Sequence, residues 1–379
     1  MGSQAAYLSF DLPARVEFGP GRWRGLAGEL ADEGFRRAAL VVTPGRQRSG
    51  MLSPVLAELR ERGIATTVFA GVPPNPHLQT VESCVQFLKE FAPDVVVGVG
   101  GGSPLDTAKA AAACLANGIR DARQLSCGGV RQRATPTVMV PTTAGTGSEV
   151  NYWAVIADPA TKEKLSIGDP RMAPHLALVD PELTLTLPPA LTLWTGLDAL
   201  THAVESFMSA AGNWLSDMFC LGAVSLILES LITAVERGRD LRSRGNMALA
   251  SLLAGAAMEN VGLGLVHAMS HQLSGYYDTP HGLANALLLP HVLRFNLPSC
   301  QEKVRTLDGL VRGERSFVAW VEGVLVRYGL TKTHVVVRET DLPELARRAG
   351  ANVNARTNPR PASPAQIEAL YRDCLAVAR

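Results

Sequence analysis

The chain lacks an excess of charge of either sign, since its 379 residues include 36 lysines and arginines and 35 aspartates and glutamates. Proteins that bind nucleic acid or an anionic membrane surface depend on clustered positive charge, so we expect neither kind of partner. The sequence also lacks a run of the ~18 uninterrupted apolar residues that a membrane-spanning helix requires. Residues 1–11 lack the basic start and apolar core of a signal peptide. These absences predict a cytoplasmic protein.

Cysteine pairing is a second absence, because none of the six cysteines belongs to a C-x-x-C pair. They are scattered at Cys84, Cys114, Cys127, Cys220, Cys300 and Cys374. Scattered cysteines in a chain of this length favour free thiols in a reducing compartment. With 47% of its residues apolar and 19% charged, the chain has the composition of an ordinary globular protein. At roughly 100–200 residues per domain, its length suggests two domains.

The first half of the chain alternates short apolar runs with helical patterns. The runs are typical of strands buried on both faces, and they are Ala39–Val42, Thr66–Phe69, Val95–Val99 and Thr137–Val140. The helical patterns are Leu52–Arg62, Val81–Phe91 and Pro104–Leu115. This alternation predicts an α/β domain with a parallel, Rossmann-like sheet covered by helices on both faces.

The pattern changes after the Pro188-Pro189 pair, where long helical stretches replace the β-branched clusters. We therefore expect an α/β domain over residues 1–188 and an all-helical domain over residues 189–379. The last helix of the chain is predicted by Ser363 as N-cap, Pro364 in the first turn and Gln366 at the capping-box position. Residues 297–340 have weak periodicity and permit no assignment.

Two loops rich in glycine and hydroxyl residues follow predicted strands. The first, Gly100–Asp106, places Ser103 as the expected N-cap of a helix, whose free N–H groups suit a phosphate. The second, Pro141–Glu149, has glycine or a hydroxyl residue at six of nine positions. Either loop alone is compatible with a simple turn that binds nothing. Because both follow strand ends of one sheet, where ligands bind in such folds, together they favour a nucleotide site.

Histidines are concentrated between residues 202 and 281. Asp198 and His202 have i, i+4 spacing on one predicted helix, His267 and His271 repeat it, and His281 follows a turn. A single histidine of this kind is more often a core or surface residue. As a set with an aspartate, these residues suit a divalent metal such as zinc or ferrous iron. The remaining histidines have no other candidate ligands near them in the sequence. We expect structural roles for His77, His175, His291 and His334.

Over nearly its whole length, the chain resembles the iron-containing (group III) alcohol dehydrogenase family. The matching segments are Gly100–Asp106, Pro141–Glu149, Gly196–Ala203 and Val266–Asn285. The resemblance implies a dinucleotide-binding domain, a helical metal domain and a catalytic cleft between them. It also implies the metal ligands, which are Asp198, His202, His267 and His281. His271 matches a histidine that the family places beside the nicotinamide, where it is a candidate proton relay.

The resemblance further implies two sets of contacts around the cofactor and the substrate. The cofactor set is Asn75, Gly101, Gly102, Ser103, Asp106, Thr142, Thr143, Thr146, Ser148 and Lys164. The substrate pocket set is Asn151 and Trp153. The implied cofactors are a divalent metal, Fe²⁺ or Zn²⁺, and NADP or NAD.

The chain departs from the family after the second predicted strand, where many NAD-using members have Val-Thr-Asp. Here Pro44 replaces the acidic residue, and Arg46 and Arg48 follow. An acidic residue at this place binds the ribose 2′-OH and repels a 2′-phosphate. Its replacement makes NADP plausible, with Arg46 as a cofactor contact, although the arginines also fit a solvated helix start.

We expect a metal-dependent dehydrogenase or aldehyde reductase that acts on a small alcohol or carbonyl compound, such as lactaldehyde, propanediol or butanol, and that forms a homodimer. A reductase for an anionic aldehyde such as phosphonoacetaldehyde is an alternative. A sugar-phosphate cyclase of the dehydroquinate-synthase type is another, although it needs a cluster of cationic residues for the phosphate. A nucleotide-binding regulatory protein would not need the complete ligand set.

Overall fold

The computed structural model describes residues 8–313 and 315–378 of the chain. Its strands are β1 (Arg15–Phe18), β2 (Arg37–Val42), β3 (Ala65–Phe69), β4 (Val95–Gly100), β5 (Thr137–Pro141), β6 (Ala154–Asp158), β7 (Glu163–Ile167), β8 (Leu176–Val179), β9 (Val336–Arg338) and β10 (Ala376–Ala378). Its α-helices are α1 (Leu26–Asp32), α2 (Pro44–Arg48), α3 (Ser53–Glu61), α4 (Leu78–Phe91), α5 (Gly102–Asn117), α6 (Pro189–Met208), α7 (Trp214–Glu236), α8 (Leu241–Val261), α9 (Leu265–Tyr277), α10 (His281–Asn296), α11 (Gln301–Asp308), α12 (Phe317–Arg327), α13 (Leu342–Ala351) and α14 (Pro364–Cys374).

The first half forms a parallel sheet with the strand order β1-β8-β5-β4-β2-β3. The strands predicted from apolar runs are present as β2, β3, β4 and β5, and the predicted helices between them are α3, α4 and α5. Every residue of β4 is buried, as a strand covered on both faces requires. The predicted Rossmann-like α/β architecture is therefore confirmed. The prediction of burial on both faces is wrong for β3, which lies at the edge of the sheet and has no buried residue.

Sequence reasoning missed the strands β1 and β8 and the antiparallel hairpin of β6 and β7. The edge strand β1 has the sequence Arg-Val-Glu-Phe, and β7 has Glu-Lys-Leu-Ser-Ile, so neither contains the continuous apolar run that marked the central strands. The strand β8, Leu-Ala-Leu-Val, does contain such a run, of the same length as Ala39–Val42, and sequence reasoning nevertheless missed it.

The chain reverses its direction across the sheet between β2 and β4. It passes from β2 to the edge strand β3 and returns to place β4 on the other side of β2, with Val42 level with Val99. Such a switch point opens a crevice at the carboxyl ends of the two strands, and nucleotides bind there in open α/β sheets. The helix α2 follows β2 at this crevice, and the loop from Gly100 follows β4.

The second half is helical, with α6 packed against α7, α8 and α10 around a continuous apolar core. One addition to the predicted all-helical domain is the parallel pair of β9 and β10, whose partners are 40 residues apart and carry no local pairing signal. The unassigned residues 297–340 contain α11, α12 and β9. The capping box of Ser363 and Gln366 is present at the start of α14, as predicted.

Helix α7 is long and apolar enough to cross a membrane, with a mean hydropathy of 2.1. In this fold it is a core helix, because Cys220, Ile227 and Leu231 are fully buried in contact with the other helices of the second half. The pair of α8 and α9 has a similar composition, but the two helices meet at a bend of 102°. Core packing therefore explains the apolar residues on the buried face of α7, whereas Trp214 and Met218 on the same helix are exposed.

Candidate active site

Four side chains from three helices converge inside the second half of the chain. Asp198 and His202 lie one turn apart on α6, His267 lies near the start of α9, and His281 is the first residue of α10. One ligand atom from each lies within 4.8 Å of the others. The distances from Asp198 Oδ1 are 3.9 Å to His202 Nε2, 3.8 Å to His267 Nε2 and 3.6 Å to His281 Nε2.

This donor set fits a divalent metal ion in both chemistry and spacing. Ligands bound at about 2.1 Å in a tetrahedral arrangement lie roughly 3.4 Å apart. The three distances from Asp198 Oδ1, 3.6–3.9 Å, exceed that spacing by only a few tenths of an ångström. Burial alone would raise the pKa of Asp198, but His202 and His281 outweigh it and hold that pKa well below its usual range. A buried carboxylate among imidazoles is a stable arrangement when a cation joins it.

In each of the three histidines, Nδ1 contacts a polar partner outside the cluster, and Nε2 faces the other ligand atoms. His202 Nδ1 donates to the carbonyl oxygen of Gly145 (3.1 Å), and His267 Nδ1 donates to Glu205 Oε2 (2.6 Å). His281 Nδ1 has a longer contact of 3.5 Å with Ser270 Oγ. Such partners fix the tautomer and ring orientation of a metal-binding histidine.

Sequence reasoning missed Glu205 and Asn285, which are buried in apolar helices. Asn285 is fully buried, and its Nδ2 donates to Asp198 Oδ1 at 2.7 Å. Within the described chain, Asn285 Oδ1 has no hydrogen-bond partner. A usable signal was present, since Glu205 lies three residues after His202, and Asn285 lies four after His281. At these spacings a side chain shares the helix face of the ligand before it.

His271 lies one turn after His267 on α9, and its ring centroid is 5.4 Å from that of His281. Burial and the nearby rings of His281 and His267 hold the pKa of His271 well below its usual range, so the imidazole is neutral. No residue that the structure describes binds its buried Nδ1. The ring therefore has a free polar atom beside the ligand cluster without belonging to it.

The two predicted cofactor loops contact each other at the crevice of the sheet. A Cβ atom on Gly102 would come within 2.8 Å of Thr146 Cγ2, so only glycine allows this approach. One expectation is wrong, because α5 begins at Gly102 with Gly101 as its N-cap. Ser103 therefore lies in the first turn, where its hydroxyl donates to Pro74 O at 2.5 Å. The tight glycine backbone and the free N–H groups of the helix start fit a pyrophosphate.

Asp106 joins the two loops instead of facing an open cleft. Its carboxylate accepts from Ser148 Oγ (2.5 Å) and from Val155 N (2.9 Å). Beneath it, the fully buried Lys109 donates from Nζ to the carbonyl oxygens of Ser148 (2.9 Å) and Asn151 (3.1 Å). Sequence reasoning did not select Lys109, because a lysine in an alanine-rich helix gives no sign of complete burial. These hydrogen bonds fix the second loop to helix α5.

At the neighbouring strand end, Arg46 extends from α2 across the crevice. Its Nη2 donates to Thr142 Oγ1 at 2.9 Å, so the guanidinium lies against the second loop. Thr143 follows on the same loop, in contact with the position of a Cβ on Gly101. Arg48, by contrast, is exposed at the end of α2. Of the two arginines that follow Pro44, only Arg46 therefore lies at the crevice of the sheet.

The other predicted contacts lie on the side of the crevice that faces the second half. Asn75 Nδ2 donates to Asp278 Oδ1 at 2.8 Å, on the turn before α10. Lys164 lies on β7, where burial lowers its pKa, and Asp106, Asp198 and Asp278 oppose that shift. This is the electrostatic environment of a cation set between the cofactor loops and the ligand cluster.

Asn151 and Trp153, the predicted substrate pocket residues, differ in what their side chains contact. Asn151 is buried, its Oδ1 accepts from Trp153 N (2.9 Å), and its Nδ2 donates to Gly147 O (2.8 Å). Its carboxamide is thus engaged in supporting the loop. Trp153 is only half-buried, and its ring covers Gly168, where a Cβ would come within 2.3 Å of the ring. Of these two residues, only Trp153 keeps exposed surface.

Comparisons with known proteins agree with this geometry. A family described as iron-containing alcohol dehydrogenase matches residues 13–181, and the C-terminal part of the Fe-containing alcohol dehydrogenase family matches residues 192–375. The NAD-dependent methanol dehydrogenase of Bacillus methanolicus is 35% identical over 97% of this chain and 100% of its own length. The 1,3-propanediol dehydrogenase of Klebsiella pneumoniae is 37% identical, over 97% of this chain and 99% of its own.

A solved structure, of a 1,3-propanediol oxidoreductase, superposes with a TM-score of 0.90 at 37% identity and covers 97% of this chain and 100% of the other. The similarity thus extends through both halves of the chain. The chain is an oxidoreductase that acts on CH–OH groups with a nicotinamide cofactor and a divalent metal. It belongs to the iron-containing alcohol dehydrogenase family.

Proposed function

We propose that this alcohol dehydrogenase reduces a small aldehyde or ketone, or oxidises the corresponding alcohol, and that it uses NADPH at least as well as NADH. The observation that carries the reaction class is the buried cluster of one aspartate and three histidines beside the cofactor crevice. Asp198, His202, His267 and His281 would hold the metal, with Fe²⁺ or Zn²⁺ as the fitting ions. When bound, the metal supplies a Lewis acid for the substrate oxygen, and the nicotinamide supplies or accepts the hydride.

His271 is the side chain that we assign to proton transfer. Its ring is neutral, and its free Nδ1 lies beside the ligand cluster without joining it. A neutral imidazole can take a proton at one nitrogen and return it at the same atom. His271 would therefore accept the proton that leaves an alcohol, and return it to the oxygen during carbonyl reduction.

The cofactor assignment to NADP rests on Arg46 and Pro44. Pro44 stands where an acidic side chain would repel a 2′-phosphate, and Arg46 is already held at the crevice by Thr142. A charge-assisted bond from a guanidinium to a phosphate contributes about 1.5–3 kcal/mol. One such contact favours NADPH by roughly ten- to a hundred-fold, at ~1.4 kcal/mol per decade.

A small, uncharged substrate is the class that the relatives' activities support. The relatives named above act on methanol and 1,3-propanediol, and another, from Escherichia coli, is a lactaldehyde reductase. Trp153 would narrow the pocket by its ring area and favour short carbon chains. The cyclase alternative requires a cationic clamp for a phosphate, and the family matches do not favour it. An anionic aldehyde stays an alternative, since one similar structure, at 27% identity, is a sulfoacetaldehyde reductase.

We further propose a soluble, cytoplasmic enzyme that forms a homodimer. The balanced charge and the free cysteines support this compartment. The deciding experiment is a panel of aldehydes and alcohols, tested with NADH and NADPH on protein reconstituted with Fe²⁺ or Zn²⁺. Metal-dependent turnover of C2–C4 aldehydes with NADPH supports the proposal. Turnover without metal, or turnover confined to anionic aldehydes, contradicts it.

A further inference from the structure

Glu205 is a buried carboxylate on α6 with 5% of its surface exposed. It lies three residues after His202 on this helix, so the two side chains share one face. Its two oxygens accept three N–H groups, which belong to His267 Nδ1 (2.6 Å), Val266 N (2.6 Å) and His267 N (3.3 Å). A buried carboxylate is costly unless it is fully hydrogen-bonded, so these bonds explain how the fold tolerates it.

Part of this arrangement is a helix cap. Helix α9 begins after Gly264, which has no side chain to accept the free N–H groups of the first turn. Two remote residues accept them instead, because Asn358 Oδ1 binds Leu265 N at 3.1 Å while Glu205 binds the next two. Only Glu205 also contacts the candidate metal site, because it accepts a hydrogen bond from the imidazole of His267. Asn358 instead accepts a hydrogen bond from the side-chain amide of Asn296.

We propose that Glu205 is a positioning residue of the metal centre, which holds His267 in the tautomer with the proton on Nδ1. This inference rests on the metal site of the proposed function and assigns a residue outside its four ligands. With the proton held on Nδ1, the lone pair of Nε2 points to Asp198, 3.8 Å away. The carboxylate also makes the imidazole a stronger ligand, as outer-shell acidic partners of histidine do.

The chemistry requires a carboxylate and not merely a polar side chain of the same size. Three N–H groups meet two oxygens in the native protein. A glutamine at this position has one acceptor oxygen and an NH₂ group. Its NH₂ group would therefore face at least one of the three native N–H donors, and two donors cannot form a hydrogen bond with each other. If the NH₂ faces Nδ1, the imidazole proton moves to Nε2 and occupies the lone pair that the metal needs.

The test compares Glu205→Gln with Asn358→Ala, which removes the other cap of α9 without touching His267. The affinity for Zn²⁺ is measured by competition with a chelator at fixed pH, and thermal unfolding of the metal-free proteins measures the structural cost. We expect Glu205→Gln to bind Zn²⁺ about 10–100-fold more weakly than wild type, the usual effect of losing such a partner. Asn358→Ala should lower the unfolding temperature of the metal-free protein and keep the wild-type affinity for Zn²⁺.

A third variant, Glu205→Asp, keeps a carboxylate with a shorter reach, so we expect its Zn²⁺ affinity to lie between those of wild type and Glu205→Gln. If Glu205→Gln does not fold, the weakened affinity of Glu205→Asp beside the intact affinity of Asn358→Ala supports the proposal. Wild-type Zn²⁺ affinity in the Glu205 variant that folds overturns it. Equal losses of affinity in the Glu205 and Asn358 variants also overturn it, because Glu205 is then only a cap. A wild-type protein that binds no stoichiometric metal refutes the proposed function itself.

Discussion

His202 Nδ1 lies 3.1 Å from the carbonyl oxygen of Gly145, so a residue of the candidate metal site is hydrogen-bonded directly to the second predicted cofactor loop. This bond requires the proton on Nδ1 and leaves Nε2 for the metal. It also gives the loop a fixed contact with α6. The position of the loop and the orientation of the metal ligand therefore depend on each other.

This connection predicts that metal and cofactor bind cooperatively. We expect metal-free protein to bind NADP(H) more weakly than Zn²⁺-loaded protein, by about 5–150-fold, the usual range for coupled sites. Titration calorimetry of the nucleotide into both forms measures the ratio. By linkage, the nucleotide must raise Zn²⁺ affinity by the same factor. Equal nucleotide affinity in both forms would mean that the bond from His202 to Gly145 transmits nothing.

The two histidines of α9 should respond differently to substitution. His267→Ala removes a ligand, so we expect it to lose stoichiometric metal and turnover together, while the apolar core of the helical half keeps it folded. His271→Ala should keep its metal and turn over more slowly, because it removes only the proton relay. Metal analysis beside steady-state kinetics separates the two. Metal loss in His271→Ala, or full metal in His267→Ala, would reverse the assignment.

The cofactor preference can be tested at α2 with a matched pair. We expect Arg46→Ala to lower kcat/KM for NADPH by roughly ten- to a hundred-fold, since it removes one charge-assisted bond to the 2′-phosphate. The value for NADH should change little. Arg48→Ala, on the same helix but exposed, should leave both values near wild type.

Restoring the acidic residue gives a second test of the same crevice. Pro44→Asp should depress kcat/KM for NADPH far more than for NADH, because a carboxylate repels the 2′-phosphate and binds the ribose 2′-OH. Both cofactors are compared in wild type and variant at one ionic strength. A wild-type enzyme with a strong preference for NADH would leave Arg46 as a residue that only supports Thr142.

Glu149, at the end of the second loop, should make stability fall as pH rises. Burial raises its pKa from the ordinary value of 4.5 to about 7, against its own backbone hydrogen bond and the charge of Lys109. Between these values the native protein holds a proton that the unfolded chain has released, so unfolding becomes easier with increasing pH. In Glu149→Gln that decline should be smaller by up to roughly 3 kcal/mol, at ~1.4 per pKa unit. Urea unfolding at pH 5 and pH 8 gives the change in the free energy of unfolding for wild type and Glu149→Gln. The same change in both proteins would contradict the prediction.

The sequence predicted the features whose signals are local. The run from Val95 into the glycines of the first loop has an unbroken apolar pattern that ends in turn residues, and the structure has the strand, the turn and the helix there. Helical spacing paired Asp198 with His202 and His267 with His271, and the family resemblance then implied Asp198, His202, His267 and His281 as the four ligands. The structure brings these four side chains into one cluster.

Features that depend on distant contacts could not be predicted in the same way. His267 is hydrogen-bonded to Glu205, which lies 62 residues earlier in the chain. The strand β9 pairs with β10, and the helices α13 and α14 lie between them in the chain. Ser103 was expected as an N-cap because its residue type favours that position, but Gly101 takes it and the hydroxyl binds Pro74. The buried Lys109 depends on carbonyl groups of the second loop, which only the folded chain brings together.

The central claim is that a metal ion held by Asp198, His202, His267 and His281 makes this chain an alcohol dehydrogenase. The most direct measurement titrates metal-stripped protein with Fe²⁺ or Zn²⁺ under anaerobic conditions while recording oxidation of NADPH by a small aldehyde. Activity should rise from near zero to a plateau at one metal ion per chain, and His267→Ala should show no rise. Undiminished activity in the stripped protein, or a full response in His267→Ala, would contradict the claim.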